Sequence, residues 1–245
     1  MFLANFEKVL TLTLWGDWAH YRKIYTTTSS LTYPFPTRTA LAGMFAGILG
    51  LERDSYYDIF ADETSAVALT ILNPIKTAQI NFNLIRTKLG YILRDIKEEG
   101  KRSQIPMEFV KDPKWRIFLW LEDNVTYQQL KILLKEHKST FTPCLGISEL
   151  LANYQFEGEK KVSQTKKVGK NETVSINSII KKSPDVSIKV EKDKKYGNVK
   201  LPAFMREDRV VTKYLELYYE QNGKPITISR GNYNTVDGEE NVIFF

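Results

Sequence analysis

The sequence predicts an α+β fold. Three observations carry this. Residues 8–15, "KVLTLTLW", alternate in strand fashion, with Leu10, Leu12 and Leu14 on one face and Val9, Thr11, Thr13 and Trp15 on the other. Residues 38–50, "RTALAGMFAGILG", place Leu41, Met44, Phe45, Ile48 and Leu49 at helical spacing. Beyond residue 158 the chain offers short strand patterns and turn signals but no convincing helix.

The elements follow in order. Gly16 ends the first strand, and residues 17–35 lack a period and read as a long loop. Thr37 or Thr39 can cap the helix over 38–50, and Gly50 stands where a left-handed end is wanted. "AVALTIL" at 66–72, "INFNLIRTK" at 80–88 and "WRIFLWLE" at 115–122 read as strands. "TYQQLKILLKEHK" at 126–138 reads as a second helix, with Thr126 and Gln129 spaced as a capping box. "ELLANYQFEG" at 149–158 closes the series as a strand. The order matches a ferredoxin-like (RRM-like) βαββαβ unit with an insertion between its second and third strands, a topology used by RNA-recognition modules.

The predicted organisation is a ferredoxin-like RNA-binding domain over 1–158, with an arm at about 86–106, and a β-rich extension over 159–245 resting on it. In the extension, strand patterns fall near 173–180, 186–191, 209–219, 225–230 and 241–245, with turns at "QNGK" and "VDGE". Residues 86–102 of the arm carry six basic against three acidic side chains. They fit either a surface loop or an arm that touches a ligand or a neighbouring subunit.

Composition narrows the class. The 245 residues are 42% hydrophobic, with 13 Tyr, 13 Phe and 4 Trp, ample for a globular core. No run of 18 apolar residues occurs, and the first ten residues lack a basic leader, so neither a membrane span nor a signal peptide is expected. The single Cys144 excludes an internal disulfide and fits a reducing, cytoplasmic setting. With one Cys and two His, no metal site and no cofactor are expected. The net charge is +6, while residues 160–200 alone hold twelve Lys, no Arg and four acids. That segment is either a solvated surface or an electrostatic footprint for phosphate.

The densest chemistry lies in "HYRKIYTTTSSLTYPFPTRTALAGMFAGILG" at 20–50. Arg22 and Lys23 stand among His20, Tyr21 and Tyr25, a mixture suited to single-stranded RNA, with charges for phosphate and rings for bases. The hydroxyl run Thr26 to Ser30, with Ser29 inside it, and Tyr33 further on can meet phosphate or ribose. The helix start at Thr37, Arg38 and Thr39 offers free N–H groups and a positive charge, an anion seat. Ala40, Gly43 and Gly47 share a small face, and each mid-helix glycine costs about 1 kcal/mol against alanine. Either close helix packing or the passage of a backbone explains that face. Arg86, Lys88, Arg94, Lys101 and Arg102 of the arm complete the candidate RNA contacts.

The stretch "WGDWAHYRKIYTTTSSLTYPFPTRTALAGMFAGILGL" resembles the N-terminal signature of the Cas-five family of CRISPR-associated proteins, most of all its type I-B branch. "IRTK", "RSQIPMEFVKDPKWRIFLWLE" and "FTPCLGISELLANYQFEG" resemble the same branch, so that residues 6–158 are covered well. The resemblance implies the repeat-associated RNA-binding superfamily and a subunit of the Cascade surveillance complex in antiviral defence. Such a subunit holds the 5′ handle of the CRISPR RNA. It contacts the backbone subunit and the large subunit, which probes target DNA. The family's thumb hairpin corresponds to residues 86–106 here.

In the type I-C branch the resemblance also implies metal-independent cleavage of precursor RNA. That reaction needs one group to activate a ribose 2′-OH and one to protonate the leaving oxygen. His20, Tyr21, Lys23 and Tyr25 are the residues at hand. The arm lacks the Lys-His pair of the cleaving branch. The reading is therefore a non-catalytic binding subunit, with a separate guide-processing ribonuclease as partner; the endoribonuclease is the alternative.

Overall fold

The computed structural model describes residues 6–26, 30–85 and 102–245. Its first half runs β1 (Lys8–Trp15), β2 (Trp18–Ala19), α1 (Arg38–Leu49), β3 (Ser65–Ile71), β4 (Lys76–Ile85), β5 (Arg102–Lys111), β6 (Lys114–Leu121), α2 (Asn124–Lys135) and β7 (Asn153–Lys161). β3, β6, β1 and β7 lie in that order in one antiparallel sheet.

The alternation in β1 sets the layers. Leu10, Leu12 and Leu14 face the two helices and pack with Leu41, Phe45 and Ile48 of α1 and Leu130 and Leu134 of α2. Val9, on the opposite face, packs with Phe118, Val236 and Val242. The sheet is thus covered on both faces, which explains why β1 is buried at Val9 and Thr11 as well as at its leucines.

α1 begins where expected: the Thr37 hydroxyl accepts from the Ala40 amide at 3.1 Å. It ends on Gly50, whose φ of 75° suits glycine. α2 differs from expectation. Its cap is Asp123, whose carboxylate accepts from the amides of Val125 and Thr126 at 3.1 and 3.2 Å. A carboxylate at the positive end of the helix takes the place assigned to Thr126. The helix stops at Lys135, and His137 lies beyond it, its ring 4.4 Å from that of Tyr154.

The second half is β-rich. It contains β8 (Lys166–Lys167), β9 (Val174–Ile176), β10 (Ile180–Lys181), β11 (Ser187–Ile188), β12 (Tyr196–Met205), β13 (Val211–Glu220), β14 (Ile226–Arg230), β15 (Asn232–Val236) and β16 (Glu240–Val242). The long β12–β13 hairpin places Leu201, Ala203, Leu215 and Leu217 in the same core as α1. β12 runs through the end of the Lys-rich segment, where no strand was expected. No helix among the described residues is long and apolar enough to cross a membrane.

β4 and β5 form an antiparallel hairpin between the second and third strands of the main sheet, with Ile80 opposite Met107 and Phe82 opposite Ile105. β2 pairs the other edge of β5. The hairpin begins at residue 76, four residues before the predicted strand. The remainder of the expected arm, residues 86–101, lies outside the described residues.

Candidate nucleic-acid interface

The loop predicted over 17–35 is more ordered than its lack of period suggests. Residues 21–23 and 31–33 pair as a short ladder: the Lys23 amide donates to Leu31 at 2.8 Å, and the Tyr33 amide to Tyr21 at 2.8 Å. The ladder carries a tip. Arg22 is exposed, Ile24 is 61% exposed and Tyr25 is 67% exposed. An isoleucine and a tyrosine so open to solvent contribute nothing to the core.

The ladder is held against β5. The Ser30 amide donates to the Pro106 carbonyl at 3.1 Å, and the Glu108 amide donates to Ser30 at 2.9 Å. One carboxylate oxygen of Glu108 accepts from the Thr32 amide at 3.0 Å. His20 closes the joint. Its Nδ1 lies 2.7 Å from the Glu108 carbonyl, and its Nε2 lies 3.2 Å from the Ser30 hydroxyl. A carbonyl only accepts, so Nδ1 carries the proton and Nε2 accepts from Ser30. His20 is 2% exposed and both nitrogens are engaged. Tyr21 is buried, which pushes its phenol well above the ordinary range, with Cys144 adding to the shift.

The remaining residues of the stretch divide. Thr26 is turned inward, its hydroxyl donating to the Lys23 carbonyl at 2.7 Å and accepting from the Leu31 amide at 3.4 Å. Arg22 donates to the Thr26 carbonyl at 3.3 Å and stays exposed. Tyr33 is buried at 2% exposure; burial raises its phenol, and the phenols of Tyr25 and Tyr214 raise it further. Tyr214, from β13, thus lies within electrostatic reach of Tyr33, as Tyr25 does. Tyr214 is 40% exposed, with the Lys200 ammonium 5.6 Å from its ring centre. Sequence reading missed Tyr214 and Lys200. They stand far along the chain, and only the β12–β13 hairpin brings them here.

The helix start corrects the expectation of an anion seat. Arg38 is 2% exposed. Its guanidinium donates to the carbonyls of Ser65 at 2.7 Å, Ala61 at 3.3 Å and Phe245, and to the Ser65 hydroxyl at 2.8 Å. It also lies 4.5 Å over the ring of Phe204. Burial lowers its pKa to about 10, with Asp62 opposing, and it remains a cation at neutral pH. Arg38 is a buried crosslink, and Thr37 is spent on the helix cap. Thr39, bonded to Thr37 at 3.0 Å, borders a cleft of about 970 Å³. Asp58, Asp62, Glu63, Glu207 and Asp208 line this cleft against Arg206 and Lys213. Both cations are already paired, to Asp208 and Asp62 respectively. Such a surface repels phosphate.

Gly43 stands against Tyr56, whose hydroxyl would lie 3.3 Å from an added Cβ. Beside it, the Thr140 and Phe141 amides donate to the Ile48 and Gly47 carbonyls, so chain segments cover part of the small face. Arg102 is exposed at the start of β5. Ser29, Arg86, Lys88, Arg94 and Lys101 lie outside the described residues.

The family described as CRISPR-associated protein (Cas_Cas5) matches residues 9–199, and the chain belongs to it. No curated protein matches. Among solved structures, a CRISPR protein from Archaeoglobus fulgidus is similar over 96% of this chain and 97% of its own, at 15% identity and a TM-score of 0.55. A chain titled as a CRISPR RNA-guided surveillance complex is similar over 89% of this chain and 91% of its own, at 10% identity and a TM-score of 0.54. At these identities the likeness is one of fold.

Proposed function

We propose that the chain is a subunit of a CRISPR RNA-guided surveillance complex and binds the 5′ handle of the CRISPR RNA without cutting it. Family membership supports the setting. The observation that carries the binding reading is the tip, with Arg22 and Tyr25 exposed and Lys23 partly exposed between them, fixed to β5 by Ser30 and His20. Tyr214 and Lys200 extend the same surface. An open ring beside cations is what a single strand uses, the ring for a base and the cations for its phosphates.

The sheet order β3-β6-β1-β7, with both helices on its Leu10/Leu12/Leu14 face, supports reading residues 8–161 as a ferredoxin-like unit. β4–β5 is then its thumb, aligned with the tip along one edge of β5 and directed toward the RNA and the neighbouring backbone subunit. The large subunit, the guide-processing ribonuclease and target DNA follow as partners within the assembled complex.

The non-catalytic reading rests on His20. A general base must reach the ribose hydroxyl, whereas this imidazole is enclosed and has both nitrogens occupied. Purified chain is incubated with repeat RNA in EDTA, and binding and cleavage are followed together. Binding of intact RNA, weakened about tenfold by Arg22→Ala with Lys23→Ala, is the expected outcome. Specific cleavage lost in Tyr25→Phe and His20→Ala would reverse the assignment to an endoribonuclease.

A further inference from the structure

Away from the tip, the outer face of α1 forms the floor of a groove. At one end lies the acidic cleft of about 970 Å³, and at the other a second cleft of about 620 Å³. Ala40 and Tyr56 line both, so the two are continuous along a helix of 12 residues, about 18 Å long. The ends differ in chemistry. The second cleft is apolar, walled by Met44, Leu51, Phe141 and Pro143, and its two charges, Glu52 and Arg53, cancel. Phe141 is 61% exposed, although its amide is fixed to the Gly47 carbonyl at 3.1 Å. The acidic cleft sets five carboxylates against two cations, both of them already paired. The carboxylates of Asp58, Glu63 and Glu207 have no hydrogen bond or ion pair among the described residues.

Gly47 is the position that asks for an occupant. A Cβ there would meet nothing closer than the Phe141 Cβ at 3.9 Å, an ordinary contact. Gly43 differs, because the Tyr56 hydroxyl stands 3.3 Å from where its Cβ would be. The fold therefore gives no reason for glycine at 47, where alanine would make a more stable helix. A bare helix position offers close approach from outside, as when the side chains of one helix settle into the groove of another. An RNA backbone is unsuited, because the adjoining carboxylates repel its phosphates. The same carboxylates attract a cationic protein segment.

We propose that the α1 groove seats one helix of a neighbouring protein subunit. That helix carries Lys or Arg at the end that meets Asp58, Glu63 and Glu207, and apolar side chains at the end that meets Gly47 and Phe141. This docking rests on the reading of the chain as a subunit of a surveillance complex, and it adds where a protein partner binds and by what chemistry.

The full chain is tagged and expressed with the other proteins of its complex and the CRISPR RNA, and the subunits recovered with it are quantified. The isolated chain supplies the melting temperature and the affinity for handle RNA. Gly47→Ala is expected to raise the melting temperature by about 2–4 °C. Gly47→Gln, whose side chain fills the groove, is expected to match the parent in melting temperature and RNA affinity. Its subunit recovery is expected to fall at least about tenfold. Glu63→Lys and Glu207→Lys, made singly, are each expected to lower recovery about fivefold. Glu239→Lys, the same charge change on the turn between β15 and β16, is expected to leave recovery unchanged. Full recovery with Gly47→Gln and with Glu63→Lys would overturn the docking and leave the complex reading standing. No recovery with the unsubstituted chain would remove both. A loss of RNA affinity in Gly47→Gln would assign the groove to RNA and overturn the proposal as well.

Discussion

The imidazole of His20 bonds the main-chain carbonyl of Glu108 at 2.7 Å, across 88 residues of sequence. Together with the bonds that Ser30 and Thr32 make to β5, this contact joins the basic-aromatic tip to the β4–β5 hairpin. His20→Ala leaves the Glu108 carbonyl and the Ser30 hydroxyl short of a partner in a closed site, at a cost of about 1–3 kcal/mol. A lowered melting temperature is expected, with RNA binding reduced in step because the tip loses its anchor. An unchanged melting temperature would show that the bond does not hold the tip.

On the proposed reading, Tyr25 binds RNA through its ring. Tyr25→Phe keeps that ring and is expected to bind RNA as the parent does. Tyr25→Ala removes a stacking surface worth about 1–3 kcal/mol per base, which anisotropy with labelled RNA reads as a five- to hundredfold loss, roughly. Equal affinity for the two variants would remove stacking from the account.

Arg22 and Arg38 separate binding from folding. Arg22→Ala is expected to fold normally and to lower the salt slope of RNA binding by about 0.7, the signature of one phosphate contact on a single strand. Arg38→Ala is expected to leave the slope intact and to cost about 1–3 kcal/mol of stability, since it strips donors from the buried carbonyls of Ser65, Ala61 and Phe245. The opposite pattern would return the anion seat to the start of α1.

The division between these two arginines marks the limit of what the sequence discloses. β1, α1, β3 and β6 were legible because each carries its own period, and Gly50 marks its helix end by a backbone preference local to the residue. Arg38 was misread because its partners Ala61, Ser65, Phe204 and Phe245 arrive from three other parts of the chain. In isolation, an arginine at a helix start looks like an anion ligand. β12 escaped notice for a related reason. Lysines and Pro202 interrupt its alternation, and its buried face becomes evident only against β13 and α1. The tip itself was legible from composition, whereas its neighbour Tyr214 was not, because nothing local links residue 25 to residue 214.

The outer face of the main sheet predicts an acid response. Burial raises the Glu157 pKa, but Thr13, Arg116 and Lys160 outweigh it and hold the carboxylate below the ordinary 4.5. Arg116 Nε lies 3.0 Å from it, and the same guanidinium also bonds Glu240. A carboxylate depressed in the folded state stabilises fully above its unfolded pKa and loses that contribution as pH falls through the folded value. Arg116→Met is therefore expected to lower the melting temperature more at pH 7 than at pH 3. An equal gap at both pH values would contradict a charge-based role.

Gly146 is needed where the chain passes His20. Its φ is 102°, and a Cβ there would overlap the His20 carbonyl, beside the bond from the His20 amide to Leu145 at 3.0 Å. Gly146→Ala is expected to destabilise the protein by about 1–3 kcal/mol through strain and displaced backbone. Denaturant unfolding with an unchanged midpoint would show that the segment shifts at no cost.

The handle-binding account is tested most directly by photocrosslinking. CRISPR RNA bearing thiouridine in its repeat-derived 5′ end is crosslinked to the full chain, and the attached peptides are mapped by mass spectrometry. The account predicts crosslinks within residues 22–33 and at Tyr214, abolished by Tyr25→Ala. Crosslinks confined to other surfaces, with the tip peptide unmodified, would contradict it.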